Sequence, residues 1–276
     1  MHEWPLIIFT TLIQTSIGCF LLTMFYVVTT KNNNKIYVPI MTSFAISLLG
    51  LIASIFHLGN PWHMFNTMNN VLSSWMSREV IFVGSYTGLL ALTIAYFLLK
   101  KKYHAMLLGI TTIVGASTLF VMSNIYVNSL FLLWNGWVTY SAFWSTALIA
   151  GGLIACLAFS IALKKENQHL VMQRITTLFF IFAFIAIVLN VCAYVYLHKH
   201  ITDNATLGIT ARHVNSELVT TLTLIKYALL LIGLASMALF KRQLNTSISL
   251  STVAITSIII VMAEVIGRYS FFCLGV

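Results

Sequence analysis

Glu264 and Arg268 stand four residues apart inside an apolar run near the end of this 276-residue chain. That spacing puts both on one face of a helix, where they can pair. Lys226 interrupts a second apolar run. Ionisable side chains in such surroundings are expensive and face a protein interior, which makes each a functional candidate. Glu264 and Arg268 are read first as a structural pair and second as site residues. Lys226 is read as structural, with Glu217 a poorly placed partner nine residues away. A second group borders the runs: His57, then Asn60, Pro61 and His63, then Arg78 and Glu79. A histidine there can hold a polar head group and titrate near neutrality, and a carboxylate at the aqueous boundary can pass protons on. With asparagine and aromatic residues close by, that set suits a quinol, which offers two hydroxyls and releases two protons on oxidation. Metal chemistry is not expected: Cys19, Cys156, Cys192 and Cys273 lie inside apolar runs with no C-x-x-C. His198, His200 and His213 read as solvated loop residues.

The elements that must position these groups follow from composition. Hydrophobic residues make up 59% of the chain, charged residues 8%, and mean hydropathy is +0.94. Soluble chains are about 25% charged, so a soluble fold is excluded. The runs are continuous and about 20 residues long, which favours helices over barrel strands. The expected fold is all-α, a polytopic membrane protein of about eight transmembrane helices in one domain over residues 1–276. The spans fall near 5–28, 36–58, 80–99, 106–127, 138–163, 175–197, 218–240 and 248–272. No Lys or Arg precedes Lys31, so the first span is expected to be a retained helix rather than a signal peptide. Within the spans, Gly84 and Gly88 form a G-x-x-x-G that would admit a neighbouring helix. Ser43, Ser47, Gly50, Ser54 and His57 share one face that should point into the bundle. Pro5 and Pro39 fall in the first turns of the first and second spans and no other span contains proline, so none is forced to kink.

The net charge of +9 does not indicate nucleic acid, because the basic residues cluster between spans. Lys31, Lys35, Lys100, Lys101, Lys102, Lys164, Lys165, Lys241 and Arg242 fall in the odd-numbered loops, and Arg174 adjoins them. Only Arg78, Lys199 and Arg212 fall in the even-numbered loops. The positive-inside rule places the odd loops in the cytoplasm and both termini outside, in the periplasm. Glu264 and Arg268 then belong to the outer third of the last span. Trp62, Trp75, Trp134, Trp137 and Tyr140 read as the interfacial aromatic belt.

Four segments resemble the membrane-anchor subunit of the bacterial dimethyl sulfoxide reductase family. They are His2-Glu3-Trp4-Pro5-Leu6-Ile7-Ile8-Phe9-Thr10, His57-Leu58-Gly59-Asn60-Pro61 with Phe65, Asn66 and Asn69 after it, Ser77-Arg78-Glu79, and Glu264-Val265-Ile266-Gly267-Arg268. The resemblance implies a haem-free anchor in the bacterial inner membrane that oxidises menaquinol. It implies as partners a four-cluster iron–sulfur subunit, to which electrons pass, and a molybdopterin catalytic subunit that reduces dimethyl sulfoxide or a related S- or N-oxide. It places quinol-binding roles on His57 and Glu79. Asn60 and Arg78 join them as neighbours in the same segments, and His63, Glu264 and Arg268 follow as further candidates. His63 departs from the family pattern, standing where an arginine is expected.

The histidine inventory fits a haem-free chain, because a b-type haem needs histidines paired on facing helices. Only His57 falls inside a span, at its outer end, while His104 and His169 fall in cytoplasmic loops. Without haem to relay electrons, the quinol site has to lie close to the docked iron–sulfur subunit, so docking is expected on the outer face. A second function class remains, a small secondary transporter with Glu264, Arg268 and Lys226 along its path. The absence of interior proline and the gathering of polar residues toward one interface favour the quinol reading.

Overall fold

Apolar segments of this length have to close their backbone hydrogen bonds internally, and helices do so within one segment. The computed structural model describes residues 4–31, 35–56, 70–163, 169–207, 216–244 and 249–275. Among them there are no strands, and eight helices are long and apolar enough to cross a membrane. They are α1 (Trp4–Thr30), α2 (Tyr37–Ile55), α3 (Trp75–Lys100), α4 (Ala105–Val127), α5 (Trp137–Leu163), α6 (His169–Leu207), α7 (Ser216–Gln243) and α8 (Leu250–Phe272). Successive helices run antiparallel, so one end of the bundle carries the start of α1 and the end of α8. We call this the amino-terminal face; Lys31, Lys100, Lys101, Lys241 and Arg242 mark the opposite, lysine-rich face.

The packing repeats. Helices α1 and α2 form a hairpin, as do α3 and α4, and α7 and α8, while α5 lies along α6. Helix α1 contacts α4 and α8, and α5 likewise contacts α8 and α4. The two halves, α1–α4 and α5–α8, therefore place their first helices back to back at the centre. Those two helices are by far the most buried, at 78% and 72% of their apolar windows.

Their contact sets the spacing of everything else. Helix α5 is α-helical to Thr146, passes through a π turn over Ala147–Gly151, and resumes at Gly152. Such turns insert one extra residue and recur at functional sites. No proline causes it; the turn sits where the two backbones touch. A Cβ on Gly18 would overlap the Ala147 carbonyl oxygen, and one on Gly151 would come within 2.6 Å of the Thr15 carbonyl oxygen. Gly84 and Gly88, by contrast, have nothing within 4 Å of where a Cβ would stand, and they lie exposed on the bundle surface. The G-x-x-x-G expected to admit a neighbour admits none; the close approach uses glycines from two different helices, a pairing no single-segment spacing encodes.

The small-residue face of α2 does point inward. Ser16 Oγ donates to the Ser43 carbonyl (2.6 Å), Ser47 and Thr87 share a hydrogen bond (2.5 Å), and a Cβ on Gly50 would press on Ile13. Because the α1–α5 contact is backbone on backbone, Gly18→Val should destabilise the detergent-solubilised protein by about 3 kcal/mol or more. Gly88→Ala should leave the unfolding temperature unchanged or slightly higher, since a lipid-facing helical glycine gains from alanine. Thermal unfolding of both variants checks this.

Candidate functional site

The deepest polar assembly draws one residue each from α1, α5 and α7 and two from α8. Glu264 is fully buried, Arg268 and Thr146 are 2% exposed, Gln14 is fully buried, and Lys226 is 7% exposed. Lys226 Nζ lies 3.3 Å from Glu264 Oε2, an ion pair between α7 and α8. Thr146 Oγ1 donates to the same carboxylate oxygen at 2.7 Å and accepts from Arg268 Nη2 at 3.3 Å. Arg268 Nη2 also donates to Gln14 Oε1, tying α8 to α1. The guanidinium lies over the Phe143 ring at 4.1 Å and near that of Phe271 at 5.5 Å. A cation held against aromatic faces away from water gains from the ring quadrupole.

Three expectations change here. Among the described residues Glu264 and Arg268 make no direct ion pair; the Thr146 hydroxyl bridges them. Lys226 pairs with Glu264 rather than with Glu217, because facing helices bring residues together that sequence distance separates. Arg268, four residues from the end of α8, falls in the outer third as expected, but the rest of the cluster lies deeper. Gln14, Thr146, Lys226 and Glu264 each stand eight to ten residues from their helix ends at the amino-terminal face. At 1.5 Å per residue that is about 12–15 Å, near the middle of a hydrocarbon core about 30 Å thick.

Glycine makes the pair possible. A Cβ on Gly267 would lie 2.5 Å from Lys226 Cδ, so the bare backbone there leaves room for the lysine stem. Lys226 is also the member of the cluster that meets a cleft, which Asn190, Tyr194, Thr223 and Ser270 help to line. Asn190 is held by the Tyr227 hydroxyl, which donates to its Oδ1 at 3.0 Å. Four atoms of the cluster make no hydrogen bond to protein: Glu264 Oε1, Gln14 Nε2, and Arg268 Nε and Nη1.

A second polar zone lies at the start of α3. Ser74 caps that helix, accepting from the Ser77 amide (3.4 Å), and the helix begins at Trp75. Glu79 therefore sits in the second turn rather than at the entrance. It is half-buried, on the same stripe as the buried Val83, Tyr86 and Leu90, and has no hydrogen-bond or ion-pair partner among the described residues. Arg78 turns back to the loop: its Nε donates to the Val71 carbonyl (2.9 Å), its Nη2 to that of Leu72 (2.6 Å), and it stacks on Trp75 at 4.3 Å. These bonds give Arg78 a loop-holding role. His57, Asn60 and His63 lie outside the described residues, as does Trp62. No hydrogen bond or ion pair joins Arg78 or Glu79 to the Glu264 cluster among the described residues.

Trp134 is no belt residue. It is buried, donates from Nε1 to the Phe271 carbonyl (2.9 Å), and stacks on that ring. Trp137 is 42% exposed, as an interfacial side chain should be. Sequence reasoning passed over Gln14 and Thr146. The available signal for Gln14 was the polar stretch around it, Thr10, Thr11, Thr15 and Ser16, all buried. Thr146 gave none, being one of many hydroxyl residues in the spans.

Fold and site together define a polytopic helical membrane protein built around a buried, hydrogen-bonded charge cluster. The family model described as the DMSO reductase anchor subunit (DmsC) matches residues 1–274, and the protein belongs to that family. It is 28% identical to a subunit of the anaerobic dimethyl sulfoxide reductase of Haemophilus influenzae, over 99% of its own length and 94% of that subunit's. It is 30% identical to the subunit of the same description in Escherichia coli, over 58% of its own length and 59% of that subunit's. A third relative, the YnfH subunit of an E. coli anaerobic dimethyl sulfoxide reductase, is 29% identical over 56% of each. The resemblance carried by the sequence segments is therefore a family relation, and an anchor subunit implies a catalytic and an electron-transfer partner.

Removing one partner of a buried ion pair strands the other charge, at a cost of about 3–5 kcal/mol. Lys226→Met and Glu264→Gln should each lower stability by about that much. The double variant should lose less than the sum, with a coupling of about 0.5–3 kcal/mol, in a double-mutant cycle of thermal unfolding.

Proposed function

We propose that this protein binds and oxidises menaquinol and passes the electrons to an iron–sulfur subunit, which supplies a molybdopterin catalytic subunit reducing dimethyl sulfoxide or a related S- or N-oxide. Family membership over nearly the whole sequence supports the assembly. The observation that carries the quinol reading is Glu79, a half-buried carboxylate on the bundle-facing stripe of α3 with no protein partner among the described residues. An unpaired carboxylate at that depth is unfavourable unless a ligand or water completes it, and a quinol hydroxyl is a donor of the right kind. His57 supplies the second contact and Asn60 a neighbouring polar group. Arg78, engaged with Val71 and Leu72, shapes the loop around the head group. Two electrons and two protons leave each quinol, and Glu79 accepts a proton as the hydroxyl is oxidised.

The basic residues of the odd loops put the lysine-rich face in the cytoplasm and the amino-terminal face, with both termini, in the periplasm of an inner membrane. With no haem, electrons leave from the quinol site directly, so the partner subunits dock on the amino-terminal face. The transporter reading draws on the midplane charges, since buried ionisable groups mark substrate paths in membrane proteins. The paired state of those charges and the anchor family weigh for the quinol reading.

General acid–base groups contribute about 10²–10⁴-fold to rate. In the co-purified complex, His57→Ala and Glu79→Gln should each cut quinol-dependent turnover by about 100-fold while electrons fed from an artificial donor to the catalytic subunit still flow. Unchanged turnover, with unchanged binding of a quinol-analogue inhibitor, would refute the site. Protease added to right-side-out vesicles should digest the iron–sulfur subunit; protection would refute docking on that face.

A further inference from the structure

The charge cluster is not sealed. Its cleft is lined by Lys226 but not by Glu264, Arg268, Gln14 or Thr146, so the lysine alone meets it. The cleft has about 80 Å³ of room for water, enough for several molecules where one needs about 10–15 Å³. Its walls are largely apolar, but Ser141, Asn190, Tyr194, Thr223 and Ser270 among them supply polar partners of the kind that ordered water requires. Behind Lys226 lie the four cluster atoms that protein leaves unpaired.

We propose that this cleft is a water-filled proton path from the amino-terminal face to the midplane Lys226–Glu264 pair, with Lys226 as the proton-exchanging group. The charge count supports that assignment. With Lys226, Arg268 and Glu264 all ionised the cluster carries one net positive charge in a low-dielectric surround, and release of one proton brings it to neutrality. The guanidinium of Arg268 keeps its protons in proteins, and Lys226 is the one cation of the cluster that lines the cleft. In the unloading step an Nζ–H bond of Lys226 breaks and the proton forms an O–H bond on a cleft water. Loading reverses this, and no electron moves. Glu264 and Arg268 from α8, Tyr194 from α6 and Tyr227 on α7 itself are the titratable groups facing Lys226 across the cleft and cluster. Glu264, fixed by Thr146, holds the lysine at the floor of the path in both states.

The hydrated cleft stands apart from the quinol reading, while its use in turnover rests on that reading. In a protein with Cys192 and Cys273 replaced by alanine, Ser141→Cys and Thr223→Cys should react with a membrane-impermeant methanethiosulfonate added to the amino-terminal face. Leu224→Cys, one residue from Thr223 but 62% exposed on the lipid side, should react at least ~10-fold more slowly, because the thiolate forms only in water. Equal rates at all three, or reaction from the lysine-rich face alone, would overturn the cleft. The exchange role is read from Lys226→Arg in the complex, which keeps a positive charge beside Glu264 but cannot release a proton to become neutral. Quinol-dependent turnover should fall at least ~10-fold, with the unfolding temperature and quinol-analogue binding held. Unchanged turnover would overturn that role, and so would a matching loss of analogue binding, which would put Lys226 in the quinol site instead. A wild-type complex that does not oxidise quinol counts against the preceding reading and leaves the labelling result standing.

Discussion

Three ionisable side chains have to be kept inside a hydrocarbon layer, and nothing about lipid compensates them. The ion pair and hydrogen bonds that make them tolerable come from other helices: Glu264 of α8 meets Lys226 of α7 and Thr146 of α5, and Arg268 meets Gln14 of α1, with the Phe143 ring of α5 beneath it. The cluster therefore works only if α1, α5, α7 and α8 converge at one depth. Such networks add little net stability when compared with a well-packed apolar core, and breaking them costs much. That asymmetry gives them the power to fix register. A helix sliding by one residue would strand a charge.

Convergence in turn needs the two central helices to approach closely, which Gly18 and Gly151 permit. The π turn immediately follows Thr146, so the same stretch of α5 both meets the α1 backbone and aims the hydroxyl that bridges Glu264 and Arg268. The surrounding helices are ordinary by comparison, with lipid-facing leucine and isoleucine on one side and small hydroxyl residues on the other. What distinguishes the amino-terminal half from the lysine-rich half is two separate polar zones, one at the start of α3 and one at midmembrane.

Much of this was legible in the sequence, and the limits have a physical cause. Eight helices are readable because a bilayer imposes one length and one composition on each span, and the family is readable because segments such as His57-Leu58-Gly59-Asn60-Pro61 and Glu264-Val265-Ile266-Gly267-Arg268 are specific strings. The inward face of α2 is readable from helical periodicity. Partnerships are a different matter. Whether Lys226 meets Glu217 or Glu264, whether Arg268 reaches Glu264 directly or through Thr146, and whether Gly84 or Gly18 receives a neighbour depend on which helices face each other. Periodicity within one helix carries no such information. Gln14 and Thr146 escaped notice because an uncharged polar residue in a span is common, and only its position opposite a charge gives it a role.

On the proposed reading, electrons pass from quinol to the iron–sulfur partner with no haem between them. The direct measurement is to mix a reduced menaquinone analogue with the purified, oxidised complex in the absence of terminal acceptor, and to follow the iron–sulfur clusters by electron paramagnetic resonance alongside the visible absorption spectrum. Signals of reduced clusters should appear with no haem absorption band rising beside them. Clusters that stay oxidised, or that are reduced only as a haem band appears, would contradict direct transfer.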